Sequence, residues 1–176
     1  AEIVEITVPT SFAWRHKILD ALRLYIGTGH VSGLVEADET FFRLSYKGNH
    51  SKSSGFTMPR KPYLRGPKSK KSENEEPKPR GISRNQVAVM CAIDRTGNII
   101  SELICNGRMQ YKDVERLFNG RIEEKSTLCI DSHKSYIRLN KNIDVDIQKI
   151  ETGKFKKGIY HIQHINSYHS RLKKWM

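Results

Sequence analysis

Apolar positions along this chain follow a helical period in four stretches and a strand-like pattern in five. "VPTSFAWRHKILDALRLYIGTG" opens with the helix-start residues Pro9, Thr10 and Ser11. Phe12, Ile18, Leu19, Leu22 and Ile26 then recur at helical spacing until Gly27 and Gly29 stop the run. "GLVEADETFF" reads as a strand with Glu36, Asp38 and Thr40 on one face and Val35, Ala37 and Glu39 on the other. In "QVAVMCAIDRTGNIISELICNG" two strands flank "DRTGN", whose Gly97 and Asn98 suit a hairpin turn. "YKDVERLFNGRI" predicts a helix ending near Gly120, and "STLCID" a nearly continuous apolar strand with both faces covered. "SHKSYIRLNK" predicts a second short helix and "VDIQKI" a strand. Residues 161–176 predict a closing helix in which Ile165, Tyr168, Leu172 and Trp175 form an apolar stripe. Beside that stripe run three polar residues, Asn166, His169 and Lys173.

A meander of three strands followed by alternating helix and strand argues for an α/β fold, a mixed sheet with helices on its faces. Residues 47–84 interrupt it. They hold five of the six prolines, eleven Lys or Arg and three Glu, which supplies +8 of the chain's +12. Such a stretch reads as a flexible basic insert. The expected organisation is a helical lead-in over 1–33 and one catalytic-sized domain over 34–176 broken by that insert. No internal repeat is visible. An opening without Met and an end inside a helical pattern suggest a piece of a longer chain.

The net charge of +12 points to a polyanionic partner, nucleic acid first and anionic membrane second. No apolar run approaches the roughly 18 residues of a membrane span, and no signal-peptide pattern opens the chain, so the expectation is a soluble, intracellular protein. Cys91, Cys105 and Cys129 form no CxxC pair and are expected as small buried residues.

Two acids stand out by position. Asp38 lies mid-strand among Ala37, Phe41 and Phe42, and Asp131 ends the strand "TLCID". Carboxylates at strand ends of open α/β sheets face the ligand crevice. A buried carboxylate needs a partner or a metal, and two side by side repel unless a cation lies between them. Such hard oxygen ligands suit Mg²⁺ or Mn²⁺. Plainer readings stand beside this one: Asp131 as the N-cap of the next helix, Asp38 as a solvated strand residue, Asp94 as a turn residue. His133 and His161 read as surface or structural, and His164 as either a helix-start residue or a neighbour of the site.

"VEADETFF", "CIDSHKSY" and "HIQHINSYHSRLKKWM", in this order, resemble the DDE-type transposases of bacterial insertion sequences, as does the "TSFAWRHKIL" helix. The resemblance implies a ribonuclease-H-like fold with metal ligands on the first strand, after the fourth strand and on a late helix. These fall on Asp38, Asp131 and Asn166, the last 35 residues beyond Asp131, with Lys173 seven residues further on. Asn166 stands where Glu is commoner, and a neutral amide oxygen ligates a divalent ion weakly. Glu36, on the face of Asp38, is the candidate helper ligand.

The implied chemistry is hydrolysis and strand transfer at a pair of Mg²⁺ or Mn²⁺ ions about 4 Å apart. Lys173 would contact a phosphate; its alternative is a solvated cation at a helix end. Arg60, Lys61, Arg65, Lys68, Lys70, Lys71, Lys78 and Arg80 would track a DNA backbone, with Phe56 and Tyr63 able to stack on bases. The implied partners are transposon-end and target DNA, bound by a homodimer or larger assembly in a bacterial cytoplasm, at the nucleoid. Two alternatives remain: a structure-specific nuclease of the same fold, or an inactive, domesticated DNA-binding module.

Overall fold

A computed structural model describes residues 5–22, 29–46, 55–61, 63, 80–131, 134–136, 139–151, 153–154 and 156–175. Strands β1 (Leu34–Arg43), β2 (Gln86–Asp94) and β3 (Ile99–Asn106) form an antiparallel meander. β4 (Ser126–Ile130) pairs parallel to β1, and β5 (Val145–Lys149) parallel to β4, giving the order β3-β2-β1-β4-β5. This is the mixed α/β sheet that the strand pattern predicts, and it is consistent with a ribonuclease-H-like fold. Asp94 shapes the hairpin between β2 and β3. Its carboxylate accepts the Thr96 and Asn98 backbone N–H groups at 2.9 Å each, the Thr96 hydroxyl at 2.7 Å and the Asn98 amide at 2.8 Å. Gly97 takes φ +97°, which an L side chain resists. Asp94 is thus the turn residue expected of it.

Both faces of the sheet are covered. Helix α2 (Tyr111–Phe118) buries Val114, Leu117 and Phe118 against Val35, Ala37, Met90, Ala92, Leu128 and Ile130. Helix α3 (Gln163–Trp175) lays Ile165 on Cys91 and Ile93 of the other face, with Ile162, Tyr168 and Leu172 around it. Residues alternate between these two cores along β1, so Glu36 and Asp38 look toward α3 while Val35 and Ala37 look toward α2.

The structure departs from the sequence expectation in four places. Where "SHKSYIRLNK" predicts a helix, the described residues of it form two 3₁₀ turns, Lys134–Tyr136 and Leu139–Lys141. Tyr136 and Leu139 both enter the α2 core, and a spacing of three suits the 3₁₀ period. The closing helix begins at Gln163, because Tyr160–His161 (β7) pairs with Lys156–Lys157 (β6) in a small ribbon. Helix α1 (Val8–Leu22) is capped by Thr7, whose hydroxyl accepts the Thr10 N–H, with Pro9 in the first turn. Of its expected apolar stripe, Leu19 is half-buried while Phe12 and Ile18 are exposed; Ile26 lies outside the described residues. Finally, Cys91 and Cys129 are buried as expected, but Cys105 is only half-buried. Among the described residues no helix is long and apolar enough to cross a membrane.

Candidate active site

β1 runs through the middle of the sheet, between β2 and β4, which places its residues away from either edge. Ala37 pairs with Ile130, the last residue of β4. One step further along both strands brings Asp38 beside Asp131, at the point where β4 gives way to a loop. Their proximity is electrostatic as well as geometric. Burial, then the charges of Glu39 and Asp131, push the Asp38 carboxyl up to about 7, against a backbone hydrogen bond from Glu39 and the charge of Lys173.

α3 closes the site from above. His169 is buried and its Nδ1 lies 3.5 Å from Asp38 Oδ2. Burial and the charge of Lys173 push this imidazole down to about 4, so it is neutral near pH 7. Its Nε2 is buried, with no hydrogen-bond partner among the described residues. Lys173, one turn on, is exposed along its side chain yet near enough to act on both Asp38 and His169. Asn166, one turn before His169, is exposed, and its carboxamide forms no hydrogen bond among the described residues. The expected set therefore divides. Asp131 and Lys173 both act on Asp38, while Asn166 lies exposed on α3.

Glu36 has both oxygens engaged. Oε2 accepts the first amides of α3, His164 N–H at 2.9 Å and Ile165 N–H at 3.2 Å. Oε1 lies 2.6 Å from Arg95, 2.8 Å from His164 Nδ1 and 3.2 Å from His161 Nδ1. A carboxylate at a helix start meets the unpaired N–H groups and the positive end of the dipole. Glu36 thereby pins α3 to β1, although only 1 % of it is exposed.

Of the expected DNA contacts, Arg60, Lys61 and Arg80 are described; Arg65, Lys68, Lys70, Lys71 and Lys78 lie outside the described residues, as does His133. Arg60 lies over the rings of Tyr46 and Tyr63, at 5.9 and 4.2 Å from their centroids. Tyr63 also takes a hydrogen bond from Asn85, just before β2, and Phe56 meets Tyr46 at 6.0 Å between centroids. This part of the insert is tied to the sheet end by aromatic contacts.

Sequence reasoning missed two features: His169 against Asp38, and the group of Glu36, His161 and His164. The only signal available was three His within nine residues, 161, 164 and 169, facing a strand whose acids sit two apart.

The model of the ISXO2-like transposase domain matches residues 30–176. The chain belongs to this family of DDE-type insertion-sequence transposases. It is therefore a DNA transposase domain, an enzyme acting on DNA, and the match takes in every element of the sheet together with α2 and α3; α1 precedes it. No curated protein and no solved structure matches the chain significantly.

Proposed function

We propose that this transposase domain cuts DNA by divalent-metal-dependent phosphodiester hydrolysis and then joins the freed 3′ end to a target. Asp38, Asp131 and Asn166 would hold the ions, and Lys173 the phosphate. The observation that carries the reading is the pair Asp38–Asp131, two acids held side by side with one desolvated far enough to raise its carboxyl to about 7. Such a pair gains strongly from a cation, and the neighbouring His169 Nε2, buried with no partner among the described residues, is a further polar atom beside it. The residues therefore fit the group that the family uses. When bound, two Mg²⁺ or Mn²⁺ ions lower the pKa of an attacking water and stabilise the leaving oxygen.

The protein's own part is positioning. β1 and β4 fix the two carboxylates by backbone pairing, so their separation needs no reorganisation when substrate arrives. Lys173 offers a point charge to a phosphate oxygen from the helix side. Asn166 contributes an uncharged oxygen, which makes the site on the α3 side the weaker of the two. Glu36, with its oxygens given to α3 and Arg95, acts here by holding the helix at its working distance. Arg60, Lys61, Arg65, Lys68, Lys70, Lys71, Lys78 and Arg80 follow the DNA backbone without reading sequence. Pairing two transposon ends calls for a dimer or larger assembly on DNA.

The test is Asp131→Asn. Cleavage of a transposon-end duplex in Mn²⁺ should disappear, while DNA binding stays intact or tightens slightly as a negative charge is lost. Unchanged cleavage with lost binding would overturn the assignment. Joining of a pre-cut donor end to target separates a transposase from a nuclease that stops at hydrolysis.

A further inference from the structure

We infer that Glu36, His161 and His164 form a second metal site, of the zinc class, which fastens the start of α3 to the sheet and is separate from the Asp38–Asp131 centre. Their ligand atoms all lie within 4.8 Å of one another. Bond lengths of about 2.0 Å in a tetrahedral shell place neighbouring ligand atoms roughly 3.3 Å apart. The separations from Glu36 Oε1, 2.8 Å to His164 Nδ1 and 3.2 Å to His161 Nδ1, are already close to that. Two imidazoles and one carboxylate suit Zn²⁺ and its neighbours, and disfavour Mg²⁺, which prefers oxygen.

The two carboxylate oxygens divide the work. Oε2 serves the amides of α3, and Oε1 faces the imidazoles. A metal on Oε1 leaves the helix start intact. The position is now filled by a cation of another kind, the Arg95 guanidinium, 2.6 Å from Glu36 and 2.7 Å from His164 Nδ1. His164 Nδ1 thus already lies between a carboxylate oxygen and a cation. Arg95 comes from the β2–β3 turn and retains 27 % side-chain exposure, so it can swing outward when an ion enters. Beneath the group lies Cys129, the register partner of Glu36 on β4, whose sulfur meets the His161 backbone N–H.

One ion here would join β1 through Glu36, the β6–β7 ribbon through His161 and α3 through His164. These are the elements that set His169 and Lys173 against Asp38. The site is a clamp on the active-site helix, outside the proposed chemistry.

The experiment titrates Co²⁺ into the full chain without DNA, in Mg²⁺ excess to occupy the Asp38–Asp131 centre, and follows the visible d–d absorption. The expected result is one Co²⁺ bound and displaceable by Zn²⁺. His161→Ala and His164→Ala should each weaken binding by at least about tenfold, the smallest loss found even for groups that merely orient a ligand. Arg95→Ala should tighten it, and Asp38→Asn should leave it unchanged. His164 is 58 % exposed, so its replacement leaves the core in place. Absence of Co²⁺ binding in both the wild type and Arg95→Ala overturns the inference. So does binding that Asp38→Asn abolishes and the two His variants spare; that outcome would leave the proposed catalytic centre standing.

Discussion

Replacing Asp38 by Asn should stabilise the metal-free protein, and by more as pH rises. The carboxyl rises from its ordinary 3.8 to about 7 in the folded state. Between those values the folded chain keeps a proton that the unfolded chain has released, so stability falls with rising pH across the window and is level above it. A displacement of this size costs about 4 kcal/mol once the pH exceeds the folded value, and about 2 kcal/mol near pH 5. Asn keeps the shape and cannot ionise. The variant should therefore exceed the wild type by about 2–4 kcal/mol near pH 8, or roughly 5–15 °C in Tm for a chain of this size. The gap should shrink by about 2 kcal/mol on going to pH 5. Thermal melts in chelator at the two pH values measure it directly. A gap that does not change with pH, or a variant less stable than wild type near pH 8, would refute the account of Asp38 as a desolvated acid kept for a cation. Saturating Mn²⁺ should bring the two proteins closer together, because only the wild type gains fully from the ion.

Asp94 has the opposite sign. Although burial opposes it, hydrogen bonds from Thr96, Asn98 and Ser32 hold its carboxyl down at about 2 against an ordinary 3.8. Its contribution, about 2 kcal/mol, is present above pH 3.8 and lost as pH falls toward 2, so Asp94→Ala should destabilise at neutral pH and lose its effect in acid melts. Phe118, fully buried in the α2 core, should cost about 3–5 kcal/mol on truncation to Ala, read by denaturant midpoint at constant m-value. Arg60→Ala should weaken DNA binding alike across sequences and reduce the slope of log affinity against log salt by about 1. A sequence-dependent loss would instead make Arg60 a base reader.

The sheet was legible because each strand announces itself locally: period-two alternation in β1, a hairpin dipeptide between β2 and β3, an apolar run in β4. The neighbourhood of Asp38 and Asp131 followed from it, since a mid-strand position on β1 and the end of the parallel β4 come together in such a sheet. What failed was decided at a distance. α1 has the spacing of a core helix, but Phe12 and Ile18 stay exposed and Arg15 reaches Trp175 at 4.9 Å as a surface contact. The segment after β4 has helical spacing, yet the core takes Tyr136 and Leu139, three residues apart, and Tyr136 donates its hydroxyl to Glu39 at 3.1 Å. Tertiary packing overrode propensity in both cases.

The polar stripe of α3 shows the same division at the site itself. Sequence places Asn166, His169 and Lys173 in one row, but rotation of the helix about its axis is set elsewhere, by Ile165 on Cys91 and Ile93 and by Glu36 at its first amides. With the helix so turned, the middle member of the row is driven into the fold against Asp38, while the outer two stay at the surface. A neutral imidazole is the kind of group that can occupy such a place, since a cation there would lose its hydration and an acid would add a third charge to Asp38 and Asp131. The uncharged Asn166 and the buried, neutral His169 thus share one electrostatic property: on the side of α3 that meets Asp38, this helix adds no further negative charge, and its one cation there, Lys173, acts on Asp38 and His169 from the surface.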